Sequence, residues 1–264
     1  MSFIENREND LVYMTSSVIG VPHAFTTRYG GVSDGIFSSL NLGSNRGDDP
    51  EHVRENYRRV CALMGAGIDE AAVTKQVHGN VVRVVTGEDR HVCMSTVPYE
   101  ADGLVTAERG LPLMCFTADC VPVLLCDSVH GVIAAVHAGW RSSVSDILGN
   151  AVKEMCALGA RKENLCAALG PAIGKCCFET DDDVPAAVAV YLGGETEGLF
   201  VRRGDGKTLV DLRGANKRRL LQLGLREENI DVSDECSFCS HEKYWSHRYT
   251  KGQRGSQAAA IVLR

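Results

Sequence analysis

The chain has 264 residues, 44% of them hydrophobic and 23% charged, with a formal net charge of -6; this is the make-up of a soluble globular protein able to bury a sizeable core. The acidic balance gives no reason to expect nucleic acid as a partner, and no apolar run approaches the ~20 residues that cross a bilayer. The polar opening MSFIENREND is unlike a signal or transit peptide, so the eleven cysteines indicate free thiols in a reducing compartment, and the expected location is the cytoplasm.

In chain order, Val18 to Arg28 reads as a strand that runs into the glycine-rich turn Tyr29-Gly30-Gly31-Val32-Ser33. Arg28, at the end of that strand, can project into a cleft or sit solvated on the surface. A helix is predicted from Pro50, with Asp48 or Asp49 as N-cap. Val53, Tyr57, Val60, Cys61 and Met64 keep helical spacing, which makes Cys61 a core thiol, and Gly65 and Gly67 stop the helix. Ala71 to Val85 reads as strand, bend, strand around Gln76-Val77-His78-Gly79-Asn80. His78 sits at the break; a lone histidine in such a place is more often structural than a ligand. Ala101 to Thr106 is a short strand entered through a turn, and Leu111 to Phe116 leads to the central stretch.

That stretch, Thr117 to Ser143, carries two mostly apolar runs, Val121 to Cys126 and Val132 to Val136, as expected for strands buried on both faces. Asp127 to Gly131 supplies the turn residues. An even loop puts Cys120 and His137 on one face at one end of the hairpin, and a three-residue loop would put them on opposite faces. Pro122 has no N–H to give the ladder. A four-residue loop closed by Asp127 and Val132 places it in a non-hydrogen-bonded pair, which favours that register over a two-residue loop. A helix starts at Gly139 to Ser143, capped by Ser142 or Ser143. Its buried stripe is Val144, Ile147, Leu148, Ala151, Val152 and Met155. Its free N–H groups beside His137 would suit an anion.

Leu165 to Leu169 is a strand, followed by the tight loop Gly170 to Gly174 and by Cys176-Cys177, expected to be packed thiols because strand neighbours point to opposite faces. Helices are predicted from Asp181–Asp183 to about Leu192 and over Asp211 to Leu223, with strands at Ile230 to Val232 and Ala258 to Leu263. Cys236-Ser237-Phe238-Cys239 is half of a zinc motif with no second CxxC, so two ordinary cysteines in a turn are expected. Arg248 follows an aromatic-rich segment read as a strand and is a candidate anion binder. No repeat or linker interrupts residues 1–264, which read as a single domain.

These residues carry a resemblance. HAFTTRYGGVS at His23 to Ser33, QVHG at Gln76 to Gly79, ADGLVT at Ala101 to Thr106, TADCVPVLL, VHAGWR, LGPAIGKCCFE and SHR at Ser246 to Arg248 follow one another as in the YfiH-like, laccase-domain family. That family is also described as polyphenol oxidase or purine nucleoside phosphorylase. Where a Gly-Arg pair is expected near the end, the chain has Arg254-Gly255, so no role is carried over to that arginine. The hairpin-rich pattern is α+β; the resemblance implies mixed β-sheets packed face to face with outer helices, in αββα layers. It also implies a zinc held by His78, Cys120 and His137. Two imidazoles and a thiolate are good zinc donors and leave a fourth position open, as in catalytic sites.

The implied activity is phosphorolysis of purine nucleosides (adenosine, inosine, methylthioadenosine) with adenosine deamination beside it, so the implied partners are a nucleoside and phosphate. Cys120, His137 and Asp119 are the candidate catalytic residues, and Arg28, Gln76, Arg141 and Arg248 the candidate substrate contacts. Three other readings stand beside it. One is a metal-free Cys120/His137 hydrolase acting on a peptidoglycan precursor, since some members of the family are described as peptidoglycan-editing factors. Another is a polyphenol oxidase (laccase) with copper, although eight histidines include no HxH pair for a multicopper centre. The last is a non-catalytic zinc-binding partner protein. Oligomeric state is not specified.

Overall fold

A computed structural model describes residues 3–264, which form fourteen strands and six helices, numbered in chain order. One sheet has the order β1 (Phe3–Glu8), β2 (Leu11–Ser16), β3 (His23–Thr26), β14 (Gln257–Ile261), β6 (Leu113–Thr117). The other large sheet has the order β13 (Ile230–Val232), β9 (Cys166–Leu169), β7 (Val121–Asp127), β8 (Val132–Ala138), β5 (Gly103–Thr106), β4 (Val82–Val84). It is mixed: β13 runs parallel to β9 and β4 parallel to β5, with antiparallel pairs between. A three-stranded sheet of β10 (Glu179–Thr180), β12 (Thr208–Val210) and β11 (Phe200–Arg202) flanks them.

The two large sheets pack face to face. Leu124, Ile133 and Ala135 from one meet Phe25, Leu113, Cys115, Ala259 and Ile261 from the other. Each large apolar side chain buried there contributes roughly 1.5–3 kcal/mol. On the outer face of the six-stranded sheet, Val121, Val123, Leu125, Ala134 and Val136 pack under α3 (Ile147–Ala157), α4 (Asp183–Tyr191) and α5 (Leu212–Gln222). The outer face of the five-stranded sheet, with Ala24, Met114, Ala258 and Ala260, is covered by α1 (Pro50–Leu63) through Val53, Tyr57, Val60 and Cys61. The α+β class and the face-to-face αββα layering are therefore as expected.

Asp49 caps α1 by accepting from the Glu51 N–H at 2.8 Å, and Cys61 is a core thiol. The central hairpin has the four-residue loop: Asp127 pairs with Val132, and Pro122 lies opposite His137. The His137 N–H turns outward to the Asp102 carbonyl at 2.7 Å, so the β7–β8 ladder asks nothing of the missing proline N–H; on its other side Pro122 accepts from the Gly170 N–H at 2.9 Å and returns no bond.

Several expectations change. Of the strand, bend, strand read over Ala71 to Val85, only β4 is a strand. The earlier part makes single bridges at Ala72–Leu113 and Lys75–Glu100, because it crosses the rim between the sheets. The helix after Gly139 is two helices, α2 (Trp140–Val144) and α3. Asp146 breaks it at φ 63° and caps α3 by accepting from the Gly149 N–H, while both its carboxylate oxygens hold Arg219 on α5. The segment before Arg248 is not a strand, and Arg248 lies in the short helix α6 (His247–Thr250), capped by Ser246. No helix among the described residues is long and apolar enough to cross a membrane.

Candidate metal centre and its cavity

Alternation along β7 and β8 sends Val121, Val123, Val136 and Ala138 to the helical side. Pro122 and His137, opposite one another, therefore face the other sheet, and Cys120, just before β7, shares that parity. His78 reaches the same spot from the 76–80 bend, where its own φ is 61°. The Cys120 Sγ lies 3.9 Å from His78 Nε2, and the donor atoms of His78, Cys120 and His137 all lie within 4.8 Å of one another. Gly139 makes the room: a Cβ there would lie 3.0 Å from His78 Cδ2 and 3.3 Å from Cys120 Sγ.

Asp102, from the ADGLVT stretch, organises both histidines, a role that the sequence reading did not give it. Its buried carboxylate accepts from the backbone N–H groups of Val77 (3.0 Å), His78 (2.9 Å) and Gly79 (2.8 Å). It also bonds His137 Nδ1 at 2.8 Å. Burial works against its charge, but the bonds from His137 and from the Gly79 and Val77 N–H groups hold it below the usual carboxylate range. With Nδ1 bound to Asp102, Nε2 is the atom that His137 can offer a metal, the carboxylate–histidine arrangement common behind zinc ligands.

In the metal-free chain the thiol and imidazole polarise each other. Burial pushes the Cys120 thiol up, yet the charge and hydrogen bond of His137, with help from His78, bring it down to about 6. Burial likewise opposes charge on His137, and Cys120 and Asp102 overcome it to push the imidazole up to about 9. The donor set is thus one thiolate and two imidazoles, which fits zinc with a position left open. Among the described residues, the only other His/Cys/Asp/Glu cluster of metal-binding geometry contains no histidine, so the donors for a multicopper centre are not assembled.

These residues open into a cavity of about 850 Å³, of a size that takes a small organic ligand. Tyr57, Phe116, Trp140 and Phe178 give it apolar walls, and Arg46, Lys75, Arg248 and Arg254 give it positive charge. Arg254 bonds the Gly255 carbonyl and Ser256 Oγ through Nη1, but its buried Nε has no partner. Burial, and then the neighbouring charge of Arg46, pull its guanidinium down to about 10. Two guanidinium groups that crowd each other favour an anion between them.

Of the predicted substrate contacts, Gln76 and Arg248 line the cavity; Arg28 and Arg141 do not. Gln76 spends its amide on the Phe116 backbone, donating to its carbonyl and accepting from its N–H, each at 2.7 Å. Arg248 donates to the Glu179 carbonyl at 3.0 Å. Arg28 is consumed by the carbonyls of Ser38 and His241 and lies over the Trp245 ring, and Arg141 lies over the Trp140 ring. Asp119 reaches the cavity at φ 89°, with its carboxylate oxygens accepting from Ser237 Oγ and the Arg248 N–H, both at 2.6 Å. It orients the wall. Cys176, Cys177, Cys236 and Cys239, expected to be unrelated thiols, come together: the first two lie in a turn rather than a strand, so both can face one point.

The sequence profile of the family described as multi-copper polyphenol oxidoreductase laccase matches residues 22–264. A purine nucleoside phosphorylase of Deinococcus radiodurans is 41% identical over 245 residues, covering 93% of this chain and 90% of that protein. Adenosine deaminase RL5, from an unknown prokaryotic organism, is 36% identical over 239 residues, 88% of this chain and 90% of that protein. The crystal structure of YlmD from Geobacillus stearothermophilus superposes with a TM-score of 0.92 at 31% identity, covering 99% of both chains.

Proposed function

Because the chain belongs to the laccase-domain, YfiH-like family, whose similar members are named as purine nucleoside phosphorylases and, in one case, an adenosine deaminase, we propose that it is a zinc-dependent purine nucleoside phosphorylase with adenosine deaminase activity. One observation carries this reading: a single cavity holds the His78/Cys120/His137 donor set and an arginine, Arg254, with an unpartnered buried Nε. His78, Cys120 and His137 would hold the zinc, which when bound supplies a Lewis acid.

The chain's own residues set up the rest. Phosphorolysis requires a phosphate oxygen to attack the ribose C1′ while the C1′–N9 bond breaks and its electron pair leaves with the purine. Arg254, Arg46 and Arg248 can hold the phosphate through charge-assisted hydrogen bonds. Phe116, Trp140, Tyr57 and Phe178 offer apolar surface for the base and exclude water from around it. Asp102 keeps His137 in one tautomer, and Asp119 holds the backbone of Arg248 in place through its N–H. On this reading Arg141 backs the wall through the Trp140 ring, and Arg28, bound to the Ser38 and His241 carbonyls, stays outside the phosphate subsite.

The polarised Cys120–His137 pair backed by Asp102 favours a second reading, a cysteine hydrolase without metal. One experiment separates the two. Adenosine supplied with inorganic phosphate should give adenine and ribose 1-phosphate, and adenosine without phosphate should give inosine and ammonia. Both should disappear on stripping the metal and return with zinc. Free ribose as product, or full activity in the metal-free protein, would overturn the proposal.

A further inference from the structure

On the far side of the wall that Asp119 organises, two short turns lie side by side. The first, Gly174 to Phe178, is closed by Cys177 and Phe178 N–H groups donating to the Gly174 carbonyl, both at 2.9 Å. The second, Cys236 to Ser240, is closed by the Ser240 N–H donating to the Cys236 carbonyl at 2.9 Å. A bridge between Ala172 and Cys236 joins them. The four cysteines they carry point to one place, with all Sγ atoms within 4.8 Å of one another. Cys176 and Cys177 Sγ lie 3.7 and 3.4 Å from Cys239 Sγ. A tetrahedral zinc with Zn–S bonds of about 2.3 Å requires S···S edges of about 3.8 Å, whereas a disulfide requires about 2.05 Å.

The surroundings suit thiolates. The Gly174 N–H donates to Cys236 Sγ at 3.1 Å. Arg213, nearly buried, is anchored on the Ser233 and Glu235 carbonyls. Its Nη2 and Cys176 Sγ would each lie 3.2 Å from a Cβ placed on Gly174. A zinc with four thiolates carries a formal charge of −2, and an adjacent guanidinium offsets part of it.

We propose that Cys176, Cys177, Cys236 and Cys239 bind a second, structural zinc. Four thiols fill the coordination sphere, so no position remains for chemistry, and soft ligands of this kind select zinc over magnesium or calcium. The ion would staple the two turns behind the cavity: Ser237, between the two cysteines of its turn, donates to Asp119, and Phe178 closes the first turn and lines the cavity.

The test is zinc stoichiometry on protein purified without chelator. The wild type should hold two zinc ions per chain, and Cys239→Ser and Cys120→Ser one each. After cobalt exchange, Cys120→Ser should keep the strong thiolate-to-cobalt absorption of a tetrathiolate, and Cys239→Ser should lose most of it. Should Cys239→Ser fail to fold, alkylation of the unaltered protein decides: Cys176 and Cys239, although exposed, should resist the reagent until a chelator is added. Free alkylation without chelator, an unchanged metal content in Cys239→Ser, or a Cys177–Cys239 disulfide in the isolated protein would overturn the proposal.

Discussion

The His78/Cys120/His137 centre and the Cys176/Cys177/Cys236/Cys239 cluster place donor atoms equally close together, yet they are built to opposite ends. The first has three donors, a carboxylate behind its histidine and a large cavity in front. The second has four donors, is supported by the Gly174 N–H and a buried arginine, and none of its cysteines lines that cavity. An incomplete ligand set beside a cavity leaves room for a substrate atom; a complete one only joins chain segments. The difference teaches that the metal-ligand count and the second row of contacts, more than ligand type, separate a reactive site from a fastening.

The sharpest way to break this contrast is to remove one thiol from each. Cys120→Ala should lower kcat/KM for adenosine phosphorolysis by about 1000-fold or more, since a Lewis acid supplies several kcal/mol. Cys239→Ser should lower it less than about 10-fold at low temperature and act mainly on the thermal midpoint. Equal losses would erase the distinction.

Next in size is the carboxylate that only the first site has. Asp102→Asn should cost about 10- to 100-fold in metal affinity or activity, with the hairpin unaltered by circular dichroism. Zinc dialysis measures it, and unchanged affinity would show that the backbone alone positions His137.

Arg254→Ala probes the cavity itself. Loss of a charge-assisted contact costs about 1.5–3 kcal/mol, or roughly 10- to 100-fold. That change should fall on the KM for phosphate, with the nucleoside KM moving less than about 3-fold. Equal changes in both would place Arg254 outside the phosphate subsite.

The smallest effect is a control on acidification, which protonates the ligands that would hold metal at both centres. His23, buried in the five-stranded sheet, accepts from the Ser16 N–H at 2.8 Å and bonds the Val21 carbonyl, and burial holds its pKa below the ordinary value. A depressed histidine contributes stability that is complete above its unfolded value of about 6.5 and is lost as the pH falls below it. Metal-free protein should therefore lose at most about 1.4 kcal/mol per pH unit below that point through this group. Urea midpoints of His23→Gln should follow pH less steeply than those of the wild type; parallel slopes would remove His23 from the account.

How much of this was legible depended on how far apart in the chain the cooperating residues lie. Cys120 and His137 belong to one hairpin, so the parity of its turn and a proline were enough to place them together. Asp102 is 35 residues from its histidine and sits in a stretch that reads only as a turn into a strand. The four clustered cysteines belong to turns some 60 residues apart, and a parity argument suited to strands separated Cys176 from Cys177 where the chain in fact turns. Arg46 carries no motif, and Arg254 is given no role because Arg254-Gly255 reverses the Gly-Arg order expected there; their place in the cavity follows from loops that only the folded sheets bring together. The β1–β2 hairpin was also unread, because β1 is exposed at four of its six positions and shows no apolar rhythm.

The placement of β14 has a consequence for the order of synthesis. It lies between β3 and β6, pairing Ala259 with Phe25 on one side and with Cys115 on the other. During translation the early strands of that sheet leave the ribosome with an open slot that nothing nearby in the chain can fill, while β7 and β8 can pair at once. The β3–β14–β6 ladder can therefore close only when residues 257–261 have been delivered, whereas the β7–β8 hairpin needs residues 121–138 alone. Until then the β3 edge is unpaired on that side, and an unpaired strand edge is a template on which another strand can add.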